Sequence, residues 1–376
     1  MKIAYISDQF LPQTATDTEQ SLNMIAALAS VGAKVKLVVP RPIGGPRTTT
    51  QELADYYQVS ANFEVVTAAL PSQPRGLTKF LHASRSGLSG IVRSSDVIYT
   101  RNLPMVAVAA AAGLAPVVYE TYRPWPDQSR ILRGFLETVA RRGRLAGLVL
   151  HSALAAESFE RIGFSPEQIL VAHNAWDPKK LEPRLDRSVA RVQCNLPADP
   201  LIVTYAGRIA PHKGIGMVLE IARALPDVHF VLVGSEGEHE MEREAATVDN
   251  VEVRPWLPFN EVVPYLYASD VLLIPPTLSP LQKTGTTVLP MKTFLYMATG
   301  RPIFSGDGPD IREVLTDGEN ACLVTPDDTA LAVRRLRELL DDAQLRARLG
   351  ESARQQMQDW TWEARARRVL SFIDTL

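Results

Sequence analysis

The hydrophobic and polar positions along the chain form two kinds of segment that alternate. Short runs rich in β-branched residues predict buried strands, and longer segments with apolar residues every three or four positions predict helices. In the first half of the chain, the predicted strands are Ile3–Ser7, Val35–Val39, Phe63–Thr67, Asp96–Thr100, Val117–Tyr119 and Gly147–His151. The helices predicted between them include Glu19–Ser30, Leu77–Arg93, Arg130–Arg144 and Ala153–Ile162.

The second half of the chain repeats this pattern. Its predicted strands are Leu201–Thr204, His229–Val233, Asn250–Val253, Val271–Ile274, Arg301–Ser305 and Cys322–Val324. Strands that alternate with helices indicate parallel sheets covered on both faces, and 376 residues exceed what one core usually holds. We therefore expect an α/β protein with two doubly wound, Rossmann-like domains, joined within the proline-rich segment Asp177–Pro200.

Composition narrows the class of protein. The chain is 46% hydrophobic with a formal net charge of −2, and it lacks a basic motif of the kind that binds nucleic acid. Cys194 and Cys322 are too few and too far apart for a disulfide framework or a metal site. The first strand starts directly after Met1-Lys2, and no apolar run is long enough to span a bilayer, so we expect a cytoplasmic protein.

One loop carries the strongest chemical signal. The sequence Y-A-G-R-I-A-P-H-K-G, Tyr205 to Gly214, joins a predicted strand to a predicted helix, Gly216 to Leu225. Loops of this kind lie at the carboxyl edge of a parallel sheet, where α/β proteins bind ligands. Arg208 and Lys213 would stand beside a helix N-terminus, an arrangement that suits a diphosphate.

This loop is the first of an ordered series of motifs. It is followed by V-L-V-G-S-E-G-E, V-R-P-W-L-P, A-S-D-V-L-L-I-P-P, T-G-T-T-V-L-P-M-K-T-F-L-Y-M-A-T-G-R-P-I and I-R-E-V-L-T-D-G-E-N-A-C-L-V. The series resembles the retaining, nucleotide-sugar-dependent glycosyltransferases of family 4 (group 1), which have the GT-B fold. The resemblance covers nearly the whole chain, including the opening M-K-I-A-Y-I-S-D-Q-F-L-P and the tail D-W-T-W-E-A-R-A-R-R.

The resemblance implies two domains that face a cleft and bind different substrates. Residues 1–180 would form the acceptor-side domain, residues 181–358 would bind the nucleotide sugar, and residues 359–376 would form a helix that crosses back to the first domain. Arg208 and Lys213 match the family's two diphosphate-binding cations and are the implied catalytic pair. Two fixed cations can stabilise a departing diphosphate without a metal ion, so we expect neither a metal nor a cofactor beyond the co-substrate.

The other donor-binding residues implied by the resemblance follow the same motifs. Thr286 and Thr287 precede a helix expected at about residues 289–299 and would meet the distal phosphate or the sugar, or simply cap the helix. Trp256 would lie beside the nucleotide base or in the core. Residues implied to contact the donor are Gly207, Trp256, Leu257, Thr286, Thr287, Lys292 and Leu295. The co-substrate expected is a UDP- or GDP-linked sugar.

Two positions depart from the family pattern. Its two glutamates, spaced E-x-x-x-x-x-x-x-E, align with Thr287 and Leu295. Leucine cannot accept hydrogen bonds from a ribose diol, and a lost pair of charge-assisted bonds costs roughly 2–4 kcal/mol. The donor is therefore bound more weakly, bound differently, or not turned over.

The first half supplies the candidate acceptor residues. The loop after the first strand, P-Q-T-A-T-D-T-E-Q, has no glycine, and Tyr122 takes the place where many relatives carry a histidine. Candidate acceptor-side residues are Gln13, Asp17, Glu120, Tyr122 and Arg123. The acceptor itself stays open: a carbohydrate, a lipid-linked sugar or a small molecule.

Two further alternatives follow from the sequence. The basic segment 130–144 either packs on the sheet with a solvated outer face or lays its arginines against anionic lipid at the inner face of a membrane. The missing glutamates also permit a catalytically inactive relative that serves as a scaffold or regulatory partner. A nicotinamide-dependent enzyme is disfavoured because the turn at Gly234 lacks the dinucleotide fingerprint.

Overall fold

The chain divides into two units in a computed structural model that describes residues 1–71, 75–114, 116–279 and 289–376. Unit 1 contains Met1–Asn174 and Trp362–Leu376, and unit 2 contains Ala175–Thr361. The functional roles predicted for residues 1–180, 181–358 and 359–376 stay predictions. The segment Asp177–Pro200, expected to be a linker, lies within unit 2 and contains a helix.

Unit 1 is built on a seven-stranded parallel sheet in the order β3-β2-β1-β4-β5-β6-β7. Its strands are β1 (Lys2–Ile6), β2 (Lys34–Pro42), β3 (Glu64–Leu70), β4 (Val97–Thr100), β5 (Val117–Thr121), β6 (Gly147–Leu150) and β7 (Ile169–Val171). Its helices are α1 (Thr16–Ser30), α2 (Thr50–Tyr57), α3 (Leu77–Gly87), α4 (Gly90–Arg93), α5 (Leu103–Ala112), α6 (Trp125–Gln128), α7 (Arg130–Arg141), α8 (Ala153–Glu160) and, from the end of the chain, α16 (Trp362–Asp374).

Unit 2 is built on a six-stranded parallel sheet in the order β10-β9-β8-β11-β12-β13. Its strands are β8 (Ile202–Ala206), β9 (His229–Ser235), β10 (Val251–Pro255), β11 (Val271–Leu273), β12 (Ile303–Gly306) and β13 (Cys322–Val324). The helices described in this unit are α9 (Arg187–Gln193), α10 (Ile215–Ala224), α11 (Glu240–Ala245), α12 (Phe259–Ala268), α13 (Met291–Thr299), α14 (Thr329–Asp341) and α15 (Ala343–Gln356).

The strands of unit 2 other than the edge strand β10 are mostly apolar and buried, because helices cover both faces of the sheet. Successive residues of β8, Ile202 and Val203, are fully buried and belong to two different hydrophobic clusters. Val231 and Leu232 of β9 divide between the same two clusters. Side chains alternate across a strand, so each sheet face packs on its own helix layer, as expected for a doubly wound domain.

The predicted elements agree with the structure except in a few places. All twelve predicted strands occur, while β7, α2, α5, α6 and α9 were not predicted. The predicted helix Leu77–Arg93 is two helices, because the Ser89 hydroxyl accepts a hydrogen bond from the Val92 amide and starts α4 anew. The predicted helix Arg130–Arg144 ends at Arg141, and Gly143 follows with a φ of 59°.

Candidate functional site

The loop between β8 and α10 lies at the carboxyl end of a central strand of the unit 2 sheet. It begins with Gly207, whose φ of 146° is one that L side chains rarely adopt. A Cβ atom there would lie 2.6 Å from the Lys292 ammonium nitrogen and 3.2 Å from the Tyr205 hydroxyl. The positive φ therefore favours glycine at position 207, which the family resemblance implies contacts the donor.

A second glycine fixes the loop from the next strand. Gly234, with a φ of 128°, ends the apolar part of β9, and a Cβ atom there would lie 2.4 Å from the Gly207 carbonyl oxygen. The Gly207 amide donates to the Val233 carbonyl at 2.8 Å. The loops that follow β8 and β9 are thus held backbone to backbone, with no room for a side chain between them.

Arg208 projects from this loop into solvent. Its guanidinium lies 3.2 Å from the carboxylate of Glu236, and both side chains are about half exposed. The Arg208 carbonyl accepts a hydrogen bond from the Tyr205 hydroxyl at 2.9 Å, which holds the backbone of the loop. Arg208 is therefore accessible to a ligand, and Glu236 is the carboxylate with which an anionic ligand would compete.

Lys213 lies at the end of the same loop and is half-buried. Gly214 follows with a φ of 78°, and a Cβ atom there would lie 2.3 Å from the Thr277 side chain after β11. This left-handed residue turns the chain into α10, which begins at Ile215. The loop is thus anchored at both ends by glycines that approach neighbouring strands.

Lys292, in the first turn of α13, is brought against the loop. Its ammonium nitrogen lies 3.7 Å from the centre of the Tyr205 ring. Loss of solvent, and then the positive charge of Lys213, lowers the pKa of Lys292 well below its ordinary value. One turn further along α13, the Tyr296 hydroxyl accepts a hydrogen bond from the Ala206 amide at 2.8 Å.

The remaining predicted donor residues occupy different surroundings. Leu295 is half-buried and packs against the hydrophobic core, as an apolar residue should. Trp256 is exposed, and its amide donates to the Ser235 carbonyl at 2.7 Å, while Leu257 packs against the core. Thr286 and Thr287 lie outside the described residues, so their predicted roles are not addressed by the structure.

A buried carboxylate organises the candidate residues of unit 1. Glu120, on β5, is fully buried, and its two oxygens accept four hydrogen bonds. The donors are Gln20 Nε2 at 2.7 Å, His151 Nε2 at 2.7 Å, Arg365 Nη2 at 2.9 Å and the Tyr99 hydroxyl at 2.7 Å. Glu120, predicted to be an acceptor-side residue, is thus shielded from solvent and contacts these four side chains instead.

The charges of this cluster follow from its burial. Desolvation alone would raise the pKa of Glu120, but the Arg365 charge and the hydrogen bond from His151 hold it well below its usual range. Burial lowers the pKa of His151 to about 4, so its imidazole is neutral at pH 7 and donates from Nε2. The cluster therefore contains an ionised carboxylate beside the cation of Arg365.

Arg101 links the cluster to the predicted acceptor residues. It donates to the Asp17 carbonyl at 3.0 Å and to the side chain of Gln20, and its guanidinium lies 5.7 Å from the centre of the Tyr122 ring. Arg123 lies on the other side, with Nε 3.3 Å from the Tyr122 hydroxyl. The structure therefore brings Asp17, Tyr122 and Arg123 together around a residue that was not predicted.

Gln13 is connected to this group through Gln9. Its side chain donates to Gln9, whose own amide donates to the Asp17 carboxylate at 2.9 Å. The backbone of Gln13 is held by the Tyr57 hydroxyl, at 2.9 Å from the amide and 2.8 Å from the carbonyl. All five predicted acceptor-side residues thus lie in one connected polar region at the carboxyl edge of the unit 1 sheet.

Three residues of these two regions were missed by sequence reasoning. Arg101 follows β4 directly, and its position at the carboxyl end of a parallel strand could have identified it as a candidate site residue. Glu236 lies in the glycine turn after β9. Its ion pair with Arg208 depends on the folded structure and has no signal in the local sequence. Arg365 lies in the last helix, 245 residues from Glu120 in sequence, and no local pattern links them.

The segment 130–144 packs mainly on unit 1. Leu136 and Val139 of α7 are buried, and Leu132 and Phe135 are half-buried. Ile131 is exposed, as are Arg141, Arg142 and Arg144. In the described part of the chain, no helix is both long enough and apolar enough to cross a bilayer. The predicted membrane contact of this segment stays a prediction.

Sequence comparison places part of this chain among known proteins. Residues 200–342, which include the β8–α10 loop and α13, match the family described as Glycosyl transferases group 1. D-inositol 3-phosphate glycosyltransferase of Streptomyces avermitilis is 26% identical over 258 residues, covering 64% of this chain and 53% of that protein. Sulfoquinovosyl transferase of Arabidopsis thaliana is 24% identical over 301 residues, covering 75% and 57%.

The chain spans about half the length of the curated relatives it matches. Among solved structures, HepE of Anabaena in complex with UDP and glucose has a TM-score of 0.73 at 20% identity, with both chains covered completely. Sucrose-phosphate synthase of Thermosynechococcus elongatus has a TM-score of 0.77 at 16% identity, covering 100% of this chain and 98% of that one. The fold is therefore the two-sheet Rossmann-like fold of GT-B proteins, and residues 200–342 resemble the group 1 glycosyl transferases in sequence.

The contact between Gly207 and Gly234 gives a first prediction. Gly234→Ala would push a methyl group against a backbone carbonyl at a φ that alanine avoids, and should cost more than about 2 kcal/mol of unfolding free energy. Gly216→Ala is the matched control, because its Cβ meets nothing within 4 Å and it lies in α10. Urea-unfolding midpoints should fall for the first variant and hold or rise for the second; equal midpoints would contradict the steric argument.

The buried imidazole gives a second prediction. Folded His151 stays neutral down to a pKa of about 4, whereas an unfolded histidine takes up a proton near pH 6.5, so stability falls as pH drops through that window. The loss should reach about 3 kcal/mol by the lower end of the window. His151→Gln keeps an amide donor but does not titrate, so its pH dependence should be shallower.

Urea-unfolding midpoints between pH 7 and pH 4.5 measure this difference, since Glu120 contributes only below its own ordinary value of 4.5. His239→Gln serves as the control because His239 is exposed in the turn before α11. The imidazole is not the cause if His151→Gln and wild type lose stability in parallel.

Proposed function

We propose that this protein is a retaining glycosyltransferase that moves a sugar from a nucleoside-diphosphate sugar to an acceptor hydroxyl without a metal ion. The observation that carries the proposal is the β8–α10 loop, with exposed Arg208 at its start and Lys213 at its end. Lys292 adds a third basic side chain against the same loop. Two basic groups on the loop and one on the adjacent helix α13 suit the negative charge of a diphosphate.

The position of the loop supports this assignment. Ligands of doubly wound domains bind outside the carboxyl ends of the strands, and β8 is a central strand of its sheet. The glycines at 207 and 234 keep side chains away from the loop, so that backbone amides can approach phosphate oxygens closely. HepE of Anabaena, which shares the fold, was solved with UDP and glucose, and by analogy a UDP- or GDP-linked sugar is the proposed donor.

The proposed reaction breaks the bond between the anomeric carbon and the diphosphate oxygen. Negative charge develops on the departing diphosphate, and Arg208 and Lys213 would stabilise it in the transition state. The acceptor oxygen would bond to the same face of the anomeric carbon, and its proton would pass to the departing diphosphate oxygen. No protein nucleophile is required for this route.

The acceptor would be held in unit 1 by the residues around Arg101. Tyr122 offers a hydroxyl for a sugar, and Arg123 and Arg101 lie over its ring at 5.5 and 5.7 Å from the centre. Asp17 adds a carboxylate that is partly exposed. Such a surface suits a polar, hydroxyl-rich acceptor, with the neutral His151 and the ionised Glu120 supporting it from below.

The assigned role of Arg208 predicts the effect of its removal on nucleotide binding. Arg208→Ala should weaken UDP or GDP binding by about tenfold to a hundredfold, because a charge-assisted hydrogen bond contributes roughly 1.5–3 kcal/mol. Calorimetry with UDP, GDP and ADP measures this loss. Arg223→Ala is the matched control, because Arg223 forms a similar exposed ion pair with Glu244 at 3.2 Å. Failure of all three nucleotides to bind at millimolar concentration would overturn the proposed function.

Lys292 predicts a proton uptake on binding. Its pKa is lowered in the ligand-free protein, and a diphosphate beside it would raise that pKa again. Between these two pKa values, binding therefore takes up as much as one proton per nucleotide, and affinity increases as the pH falls. Calorimetry in two buffers with different ionisation enthalpies gives the number of protons directly.

Lys292→Met should abolish this uptake. Lys180→Met is the matched control, because Lys180 is also half-buried and lies over an aromatic ring, 5.5 Å from the centre of Phe259. An uptake that survives Lys292→Met would mean that another group takes the proton.

Turnover separates the enzyme from its inactive alternative. With a donor that binds, an active enzyme should release sugar slowly to water even without its acceptor, and Arg208→Ala should abolish that release. Binding without any release would favour the non-catalytic reading, in which Leu295 reflects the loss of the family's ribose-binding carboxylate.

A further inference from the structure

Helix α3 and the residue after it carry large apolar side chains that point to solvent. Leu77 is 86% exposed and Leu88 is 67% exposed, and Phe80 and Leu81 between them are also exposed. Residues spaced in this way fall on one side of an α-helix. An exposed apolar stripe on a surface helix indicates contact with something other than water.

The opposite side of α3 packs on the protein. His82, Ala83 and Ser86 are buried, and the His82 ring nitrogen lies 2.7 Å from the Ser7 carbonyl. Since the buried side is made of small and polar residues, the larger apolar ones are not needed for packing within unit 1. An ordinary surface helix buries its apolar side, whereas α3 exposes its large apolar side chains and buries small and polar ones.

One more exposed apolar residue lies at the carboxyl edge of the unit 1 sheet. Ile43 follows β2, is 67% exposed, and donates its amide to the carbonyl of Leu70 at the end of β3. It thus stands at the same sheet edge as the start of α3. We call the exposed residues Ile43, Leu77, Phe80, Leu81 and Leu88 the α3 surface.

The charged residues within the two segments that carry the α3 surface are all basic. Segments 41–48 and 75–93 contain no aspartate or glutamate, but they contain the cations Arg41, Arg47, Arg75, Lys79, Arg85 and Arg93. Lys79 pairs with Asp8 at 2.8 Å, and Arg85 donates to the Ala69 carbonyl at 2.9 Å. Apolar side chains flanked by cations match the two layers of an anionic lipid surface: acyl chains and charged headgroups.

We propose that the α3 surface docks unit 1 on an anionic lipid bilayer. The leucines and Phe80 would enter the boundary between headgroups and acyl chains, and the cations would lie among the headgroups. A second copy of the chain is a poorer occupant, because symmetric pairing would bring two sets of like charges together. The segment 130–144 is a poorer docking surface, because Leu136 and Val139 are used in the core.

Vesicle sedimentation tests this proposal. The full chain should sediment with phosphatidylcholine vesicles that contain about a third phosphatidylglycerol, much less with phosphatidylcholine alone, and less as salt increases. Leu77→Ser combined with Leu88→Ser should lower partitioning by about tenfold or more, because it removes two side chains from the apolar layer. Both residues are exposed, so thermal unfolding should be unchanged.

Two controls use exposed apolar residues elsewhere. Ile131→Ser, 85% exposed on the basic helix α7, and Val192→Ser, 82% exposed in unit 2, should both bind vesicles like wild type. Absence of binding to anionic vesicles would overturn the proposal, as would loss of binding through Ile131→Ser with the α3 variant unaffected. Self-association that depends on Leu77 and Leu88, measured by size-exclusion chromatography, would assign the surface to a second copy instead.

Discussion

The fully buried carboxylate of Glu120 is the constraint on which unit 1 depends. An ionised group without solvent must be satisfied by the protein, and Glu120 recruits donors from four distant segments: α1, β4, the end of β6 and α16. Arg365 also donates to the carbonyls of His173 and Ala172, so one guanidinium ties the last helix to the sheet. Because removal of one partner leaves the other charged and buried, the arrangement tolerates little change.

In unit 2, the constraint is steric rather than ionic. Gly207 and Gly234 allow two loops to touch through their backbones, and Gly214 lets the first loop turn back beside Thr277. The exposed charged groups of these two loops include the Arg208 guanidinium, which an anion could reach in competition with Glu236. Fixing the backbone in this way also positions Arg208, whose carbonyl is held by Tyr205 while its guanidinium stays accessible.

The sequence predicted the sheets well because buried parallel strands are short, apolar and nearly continuous. Each predicted strand occurs, whereas β7 escaped notice because its residues Ile169–Val171 are few and only half-buried. Helix α5 is apolar throughout and shows no period, so its type could not be read. The candidate residues at strand ends were predictable from topology. Their charged partners were not predictable in the same way. The pairs of Glu120 with Arg365 and of Arg208 with Glu236 form only through tertiary contacts, which no local sequence pattern contains.

Leu295 and Lys292 are best understood together. They are three positions apart on α13, so a glutamate at 295 would lie near the lysine. With leucine there, packed against the core, the ammonium group has the Tyr205 ring and Lys213 as neighbours, and no carboxylate among the described residues stabilises its charge. Under the proposed function, leucine at 295 would remove a ribose acceptor and would also leave the Lys292 ammonium without a carboxylate partner in the described part of the chain. A bound diphosphate would supply this negative charge, so under the proposed function we expect the phosphates, more than the ribose, to contribute the donor affinity.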